Sequence, residues 1–243
     1  MTDIDDAYTA GRYDQALWLI LESFESAASG LGGPRLDFMV TYTWERLIDV
    51  GYAPARDAMM RVRDEQRARL LAGEFIFGAQ DQTWPLSRLD VILDMNANLK
   101  DSRSSYDTFI QLLDVAPEEA RRHVFRVLPA MVDVGDYTRA ESYLGDPLTD
   151  LDSLNAQARA APLYPLRGQP PRTWAELHNF VNSVSLLMAA HRGLGREADA
   201  QSLQAAALAG IENEELRAMA GREIATPGLM QREIGEYLAR SEA

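Results

Sequence analysis

The spacing of apolar positions along this chain is helical almost throughout. Between Thr173 and Arg192, the residues Trp174, Leu177, Phe180, Val181, Val184 and Met188 fall on one stripe at about 100° per residue. Pro170 and Pro171 precede this stretch, Thr173 is placed to cap it, and Gly193 and Gly195 end it. Residues 117–134 follow the same logic. Pro117 stands in a first turn with Glu118 and Glu119 behind it, where carboxylates favour the helix dipole, and Gly135 closes the helix. Strand-like patterning is confined to residues 74–78, where Phe75, Ile76 and Phe77 adjoin. The run is short enough to be a helix end or a buried connector. Glycine and proline punctuate the chain at 30–34, 51–54, 79–85, 145–147, 162–171 and 227–228. Roughly a dozen helices of about 8–20 residues fit between these marks. The predicted fold class is all-α. Residues 162–171 hold four prolines and a glycine. They predict a break between an N-terminal part, 1–161, and a C-terminal part, 172–243, or a buttressed loop within one continuous domain.

A second pattern recurs at the tight turns. Gly11, Tyr13 and Ala16 have the same spacing as Gly135, Tyr137 and Ala140, and Gly195 with Ala200 keeps the glycine and the alanine. Residues 50–55, with Gly51, Tyr52 and Ala55, are a looser copy. The glycine suits the left-handed residue that ends the first helix of a pair. A small alanine in the first turns of the next helix lets the two cross closely, and an aromatic residue near the turn covers the junction.

On these residues the chain resembles the tetratricopeptide repeats. The match lies at the turn between the two helices of a repeat and at the start of the second helix. The small residue that the family carries seven positions before the turn glycine is replaced by Ile4, Leu128 and Met188. The copies also stand further apart than the family period of about 34 residues. The resemblance implies a right-handed superhelix of about four to six helix pairs, regular or irregular, whose concave surface accepts a peptide or helix from another protein.

Composition narrows the chemistry. The chain contains no cysteine, which removes disulfides, thiolate metal sites and a cysteine nucleophile, and fits a reducing compartment. Its start is acidic rather than basic and apolar, and no stretch approaches the ~18 apolar residues of a spanning helix. The expected location is the cytoplasm. The formal net charge of −13 disfavours nucleic acid and anionic membranes and favours basic partners.

The candidate reactive groups are few. His178 and His191 stand 13 residues apart on one predicted helix, about 220° around it, so they cannot share a metal; His123 is remote from both. Asp90, Asp94 and Asn98 form one helical stripe that would need further carboxylates such as Asp101 or Asp107 to hold a cation. Residues 31–34 lack the Lys-Ser/Thr of a phosphate loop, and no serine sits in a Gly-x-Ser-x-Gly elbow. Two faces suit recognition instead. Arg56, Arg63 and Arg67 share one side of a charged helix and could grip an acidic peptide, or else form salt bridges with neighbouring acids. His178, Asn182 and Ser185 lie beside the apolar stripe of 173–192, with Asn179 further round, where amides could bond a peptide backbone or simply fill a polar seam.

The resulting expectation is a non-enzymatic protein–protein interaction module, an adaptor or scaffold with no cofactor or metal. Its partner is another protein, and neither nucleic acid nor membrane. One alternative is an acidic inhibitor or immunity-type protein that caps a basic partner. A second is a metal-dependent helical enzyme using Asp90 and Asp94.

Overall fold

The fold is all-α, as its helical periodicity predicts. The computed structural model describes residues 2–29, 34–78, 86–165 and 168–242. The breaks at 30–33 and 79–85 lie outside the described residues. The chain divides into two compact units, Met1–Val134 and Gly135–Ala243.

The first unit contains α1 (Thr2–Thr9), α2 (Tyr13–Ala28), α3 (Pro34–Asp49), α4 (Ala53–Leu71), α5 (Arg88–Leu99), α6 (Ser102–Val115), α7 (Pro117–Arg122) and α8 (Val124–Asp133). Most of its connections are only a few residues long, which favours antiparallel packing of neighbouring helices, while sixteen residues with a short β-ladder join α4 to α5. Helix α2 packs on α3, α4 on α5, and α6 on α8. Their apolar faces bury Ile20, Phe24, Trp44, Leu47, Met59 and Met95 in one core.

Three helix-to-helix turns in this unit close in the same way. At Gly11 the amide donates to the Tyr8 carbonyl, and the next amide, of Arg12, reaches back to Ala7. Gly51 and Tyr52 bond Ile48 and Leu47, and Lys100 and Asp101 bond Ala97 and Asn96, in the same two steps. Each closure needs a left-handed residue at its centre, with φ of 71° at Gly11, 80° at Gly51 and 57° at Lys100. The small residues expected behind the turns, Ala16 and Ala55, are fully buried, and Ser105 does the same work behind Lys100. Ala55 is covered by Trp44, whose indole donates to the Ala55 carbonyl at 2.8 Å. Tyr13 stands between the rings of Tyr8 and Tyr52, at centroid distances of 5.8 and 5.7 Å, and so covers the junction of the first two pairs.

Residues 74–78 are neither a helix end nor a plain connector. Ile76–Phe77 (β1) pairs antiparallel with Leu86–Ser87 (β2), with Ile76 opposite Ser87. This two-residue ladder is held by a tertiary contact with Arg88. Only 2% exposed, Arg88 donates from Nε to the Glu74 carbonyl and from Nη2 to the Ile76 carbonyl, both at 2.7 Å, and from Nη1 to the Gln66 side chain. Residues 117–134 are likewise two helices and not one. The chain breaks at His123, whose ring stands between Asp90 and Glu119, at 3.3 Å from each.

The second unit contains α9 (Tyr137–Leu144), α10 (Leu151–Ala160), α11 (Arg172–Gly193), α12 (Glu197–Gly210), α13 (Glu214–Ala225) and α14 (Leu229–Glu242). Helix α11 is central: α9, α10, α12 and α13 all pack on it. Leu177, Phe180, Val181, Val184 and Met188 of the predicted stripe are buried there, while Trp174 is half-buried at its edge. Thr173 does not cap α11. The helix begins at Arg172, and the Thr173 hydroxyl donates to the Ala161 carbonyl at 3.0 Å, tying α11 to the end of α10. Gly195 (φ 76°) and Arg196 close the turn into α12 with the same pair of backbone bonds, to Arg192 and His191. Ala140 and Ala200 are fully buried.

The boundary between units falls after Val134 and not within 162–171. The proline-rich segment interrupts helix but not packing, for α10 and α11 on either side of it contact each other. Residues 166–167 of this segment lie outside the described residues; before them, the Tyr237 hydroxyl donates to the Pro165 carbonyl at 2.7 Å, and Tyr164 donates to Glu233 at 3.0 Å.

Candidate functional site

Two of the three arginines predicted to grip a partner are engaged within the fold, and one of them, Arg63, is buried. Arg56 donates from Nη2 to the Leu99 carbonyl at 2.9 Å and so satisfies an orphan carbonyl at the end of α5. Arg63 is 7% exposed; its Nε donates to Asp64 at 2.6 Å, and its Nη1 donates to Asn96 Oδ1 at 2.7 Å and Asp101 Oδ2 at 3.1 Å. These contacts lock α4 onto the α5–α6 turn and bury Arg63, while Arg56 stays exposed with its guanidinium engaged by the Leu99 carbonyl. Arg67 is half-buried and has no ion-pair partner among the described residues.

Asp101 joins that lock to the start of α6. Its carboxylate accepts the Ser104 amide at 3.0 Å and the Ser104 hydroxyl at 2.6 Å, the N-cap arrangement. Burial works against its ionisation. The two Ser104 bonds and the Arg63 guanidinium outweigh that effect and hold the carboxyl below its usual range.

Beside this network, α5, the start of α6 and α8 enclose a groove of about 250 Å³. Leu93, Ala97, Pro129 and Ala130 give it apolar walls; Asn96, Lys100 and Arg126 also line it. Arg126 donates to Asp94 at 2.5 Å. Asn96 is 1% exposed, and its Nδ2 is buried without a hydrogen-bond partner. The bond that its Oδ1 accepts from Arg63 fixes the amide orientation, so turning the amide over would set its N–H groups against a guanidinium.

The acidic stripe of α5 is already engaged by side chains from across the fold. Asp90 faces His123 and Asp94 faces Arg126, while Asp107 accepts from Arg103 within α6. Arg126 also reaches Asp90, at 4.0 Å, so both carboxylates of the stripe are already faced by a cationic side chain. Among the described residues, no group of three or more histidine or carboxylate side chains is arranged to hold a metal.

The second predicted face is on α11. His178 Nε2 and Asn182 Nδ2 are 2.9 Å apart, and the His178 ring stacks on Trp174 at 4.9 Å with only 9° between planes. Asn179 and Asn182 are exposed, and Ser185 is half-buried. His178, Asn182 and Ser185 thus lie along one side of α11, with Asn179 further round and Trp174 as an unforeseen member. Trp174 belonged to the apolar stripe by spacing, yet its indole nitrogen and His178 Nδ1 are both buried without a partner.

One surface feature had no counterpart in the sequence reading. Trp18, on α2, is 60% exposed. Helical spacing puts Asp14, Glu22 and Glu25, all exposed, on the same side of α2. Asp14 accepts a hydrogen bond from the Tyr52 hydroxyl, which raises the Tyr52 phenol above its ordinary value. Glu22 and Glu25 have no ion-pair partner among the described residues. A tryptophan framed by carboxylates offers a flat apolar contact inside a negative field.

No protein-family model, no curated protein and no solved structure matches this chain. Among the described residues, no helix is long and apolar enough to cross a membrane.

Proposed function

We propose that this chain is a non-enzymatic, helical-hairpin repeat protein of the tetratricopeptide-like kind that binds another protein, and that its partner presents a basic surface. The observation that carries the reading is Trp18, the aromatic side chain on α2 that stands 60% exposed between the carboxylates of Asp14, Glu22 and Glu25. Large exposed aromatics are the usual anchors of protein interfaces, and surrounding carboxylates select a cationic partner and speed its approach. The net charge of −13 acts in the same direction and disfavours nucleic acid. The repeated left-handed turns, each followed by a small buried residue, support the hairpin-repeat reading. The lack of cysteine suits a cytoplasmic setting.

The test is parallel capture from lysate with the wild-type chain and Trp18→Ala, at low and high salt. The reading expects a stoichiometric basic protein that binds the wild type at low salt, and is lost both at high salt and with the variant. Equal capture by the variant would remove Trp18 as the anchor. A partner whose binding is tight, one-to-one and strongly salt-dependent would favour the acidic-inhibitor form of this role over a scaffold.

A further inference from the structure

Helix α1 holds a contact that the neighbouring helix α2 repeats only in part. The Arg46 guanidinium of α3 lies over the Tyr8 ring of α1, 4.0 Å from its centroid, and its Nη1 pairs with Asp5 Oδ1 at 3.2 Å. Asp5 stands one turn before Tyr8, so a single helix supplies both the ring and the carboxylate. The ion pair is open to water, with side chains 35% and 38% exposed. A guanidinium suits such a place because it is planar. It can stack on a ring and still present N–H groups at its edge to a carboxylate.

The face of α2 around Trp18 has the same parts without the cation. Among the described residues, the rings that a guanidinium covers are Tyr8, Tyr42, Phe77 and Tyr106, and Trp18 is not one of them. Asp14 stands one turn before Trp18, as Asp5 does before Tyr8. Helical side chains lean toward the N-terminus, which carries the indole over that turn. The Tyr52 hydroxyl bonds Asp14 Oδ1, and a carboxylate has further acceptor positions. Glu22 stands one turn after Trp18 and Glu25 a turn beyond that. Helix α2 contains these three carboxylates and no lysine or arginine. The cations nearby do not cancel them. Arg12, just before the helix, donates to Gln15 at 3.0 Å and offsets one charge. Arg61 and Glu65 of α4, which line a groove with Glu25, offset each other, and Arg69 is paired with Glu74 at 2.7 Å. The face around Trp18 keeps a negative excess.

We infer that Trp18 receives an arginine side chain of the protein partner, its guanidinium stacked on the indole and bonded at its edge by the Asp14 and Glu22 carboxylates. The inference rests on the docking reading of Trp18 and adds the group that is recognised. An apolar anchor would cover the ring and leave the carboxylates unused. A lysine ammonium is a compact point charge without a flat face to lay on the indole.

The probes are acetyl-arginine amide, acetyl-lysine amide and acetyl-citrulline amide, the last close to arginine in shape but neutral. Proton NMR of the full chain at constant ionic strength follows the indole N–H signals of its four tryptophans. The Trp18 signal is the one lost in Trp18→Phe. The arginine probe should shift it saturably, with the lysine probe at least about twofold weaker, the difference expected from stacking at an exposed site. The citrulline probe should leave it unmoved, and the half-buried Trp174 should not respond to any of the three. Asp14→Asn with Glu22→Gln should weaken the arginine probe at least about twofold. Both positions are exposed, and an unchanged melting temperature confirms that the fold is intact. The inference is overturned if the arginine probe does not bind, if lysine or citrulline binds as tightly, or if the double variant binds arginine as the wild type does. The docking reading fails separately. Equal lysate capture by Trp18→Ala removes it whatever the probes do, whereas Trp18-dependent, salt-sensitive capture with no preference for arginine keeps it and overturns this inference.

Discussion

The ring of Tyr137 fills the space that a side chain on Gly193 would occupy. A Cβ at Gly193 would stand 2.3 Å from two of its ring carbons and 2.4 Å from a third. Helices α9 and α11 meet at this point, and only glycine lets them approach so closely. Gly193 has no positive φ, so the requirement is space and not backbone conformation.

Gly193→Ala should therefore destabilise the protein. Alanine would favour an unhindered helix by about 1 kcal/mol over glycine, but overpacking costs about 1–3 kcal/mol, and the net change should be a loss. Thermal or urea unfolding measures it. Adding Tyr137→Ala should make Gly193→Ala nearly harmless in that background; if the two penalties simply add, the contact is not the cause.

Lys100→Gly should do the reverse. The left-handed residue costs a side-chain-bearing amino acid about 1 kcal/mol or more, and glycine gives back part of that through its greater freedom when unfolded. A gain of about 0.5–1 kcal/mol in urea unfolding is expected. An unchanged or lower midpoint would mean that the lysine stabilises the end of α5 by more than its backbone costs.

Glu223, only 5% exposed, holds the start of α14. Its two carboxylate oxygens accept the Gly228 and Met230 amides, each at 2.7 Å. Glu223→Ala leaves both donors without a partner and should cost about 2 kcal/mol. Hydrogen exchange should report the loss locally, with faster exchange at Gly228, Met230 and the first turn of α14 than in α11.

The lock at Asp101 gives a pH signature. Because folding holds its carboxyl below the ordinary range, Asp101 stabilises the fold above its unfolded value, near about 3.9, and that contribution disappears as pH falls through the lower folded value. Asp101→Asn should be less stable than wild type at neutral pH, with the gap closing on acidification below about pH 4. Unfolding midpoints measured along a pH series check this, and a gap that stays constant would place the effect in packing and not in charge.

Trp18→Ala should barely alter stability. Its side chain is mostly in water, and substitutions at such sites stay within about 0.5 kcal/mol. A large drop in melting temperature would show that Trp18 supports the fold, and its exposure would then say nothing about a partner.

Much of this protein was determined locally and could be read without its structure. The core stripe of α11 follows from spacing alone, because residues three and four apart share a helix face whatever lies opposite. The turns at Gly11, Gly51 and Gly195 follow from the freedom of glycine at positive φ. The turn at Lys100 escaped the same reasoning because the left-handed residue there has a side chain, and only the backbone reveals it. What lies across the fold was decided by packing. Arg56, Arg63 and Arg67 are equivalent along their helix, yet α5 and α6 take up the first two and leave the third. Asp90 and Asp94 share a stripe, yet it is His123, at the α7–α8 break, and Arg126 of α8 that face them. The boundary after Val134 has the same origin, since prolines mark where a helix must stop but not which helices then pack together. Local sequence sets the conformations each segment can adopt, and contacts between residues distant in the chain determine which side chains remain available to a partner.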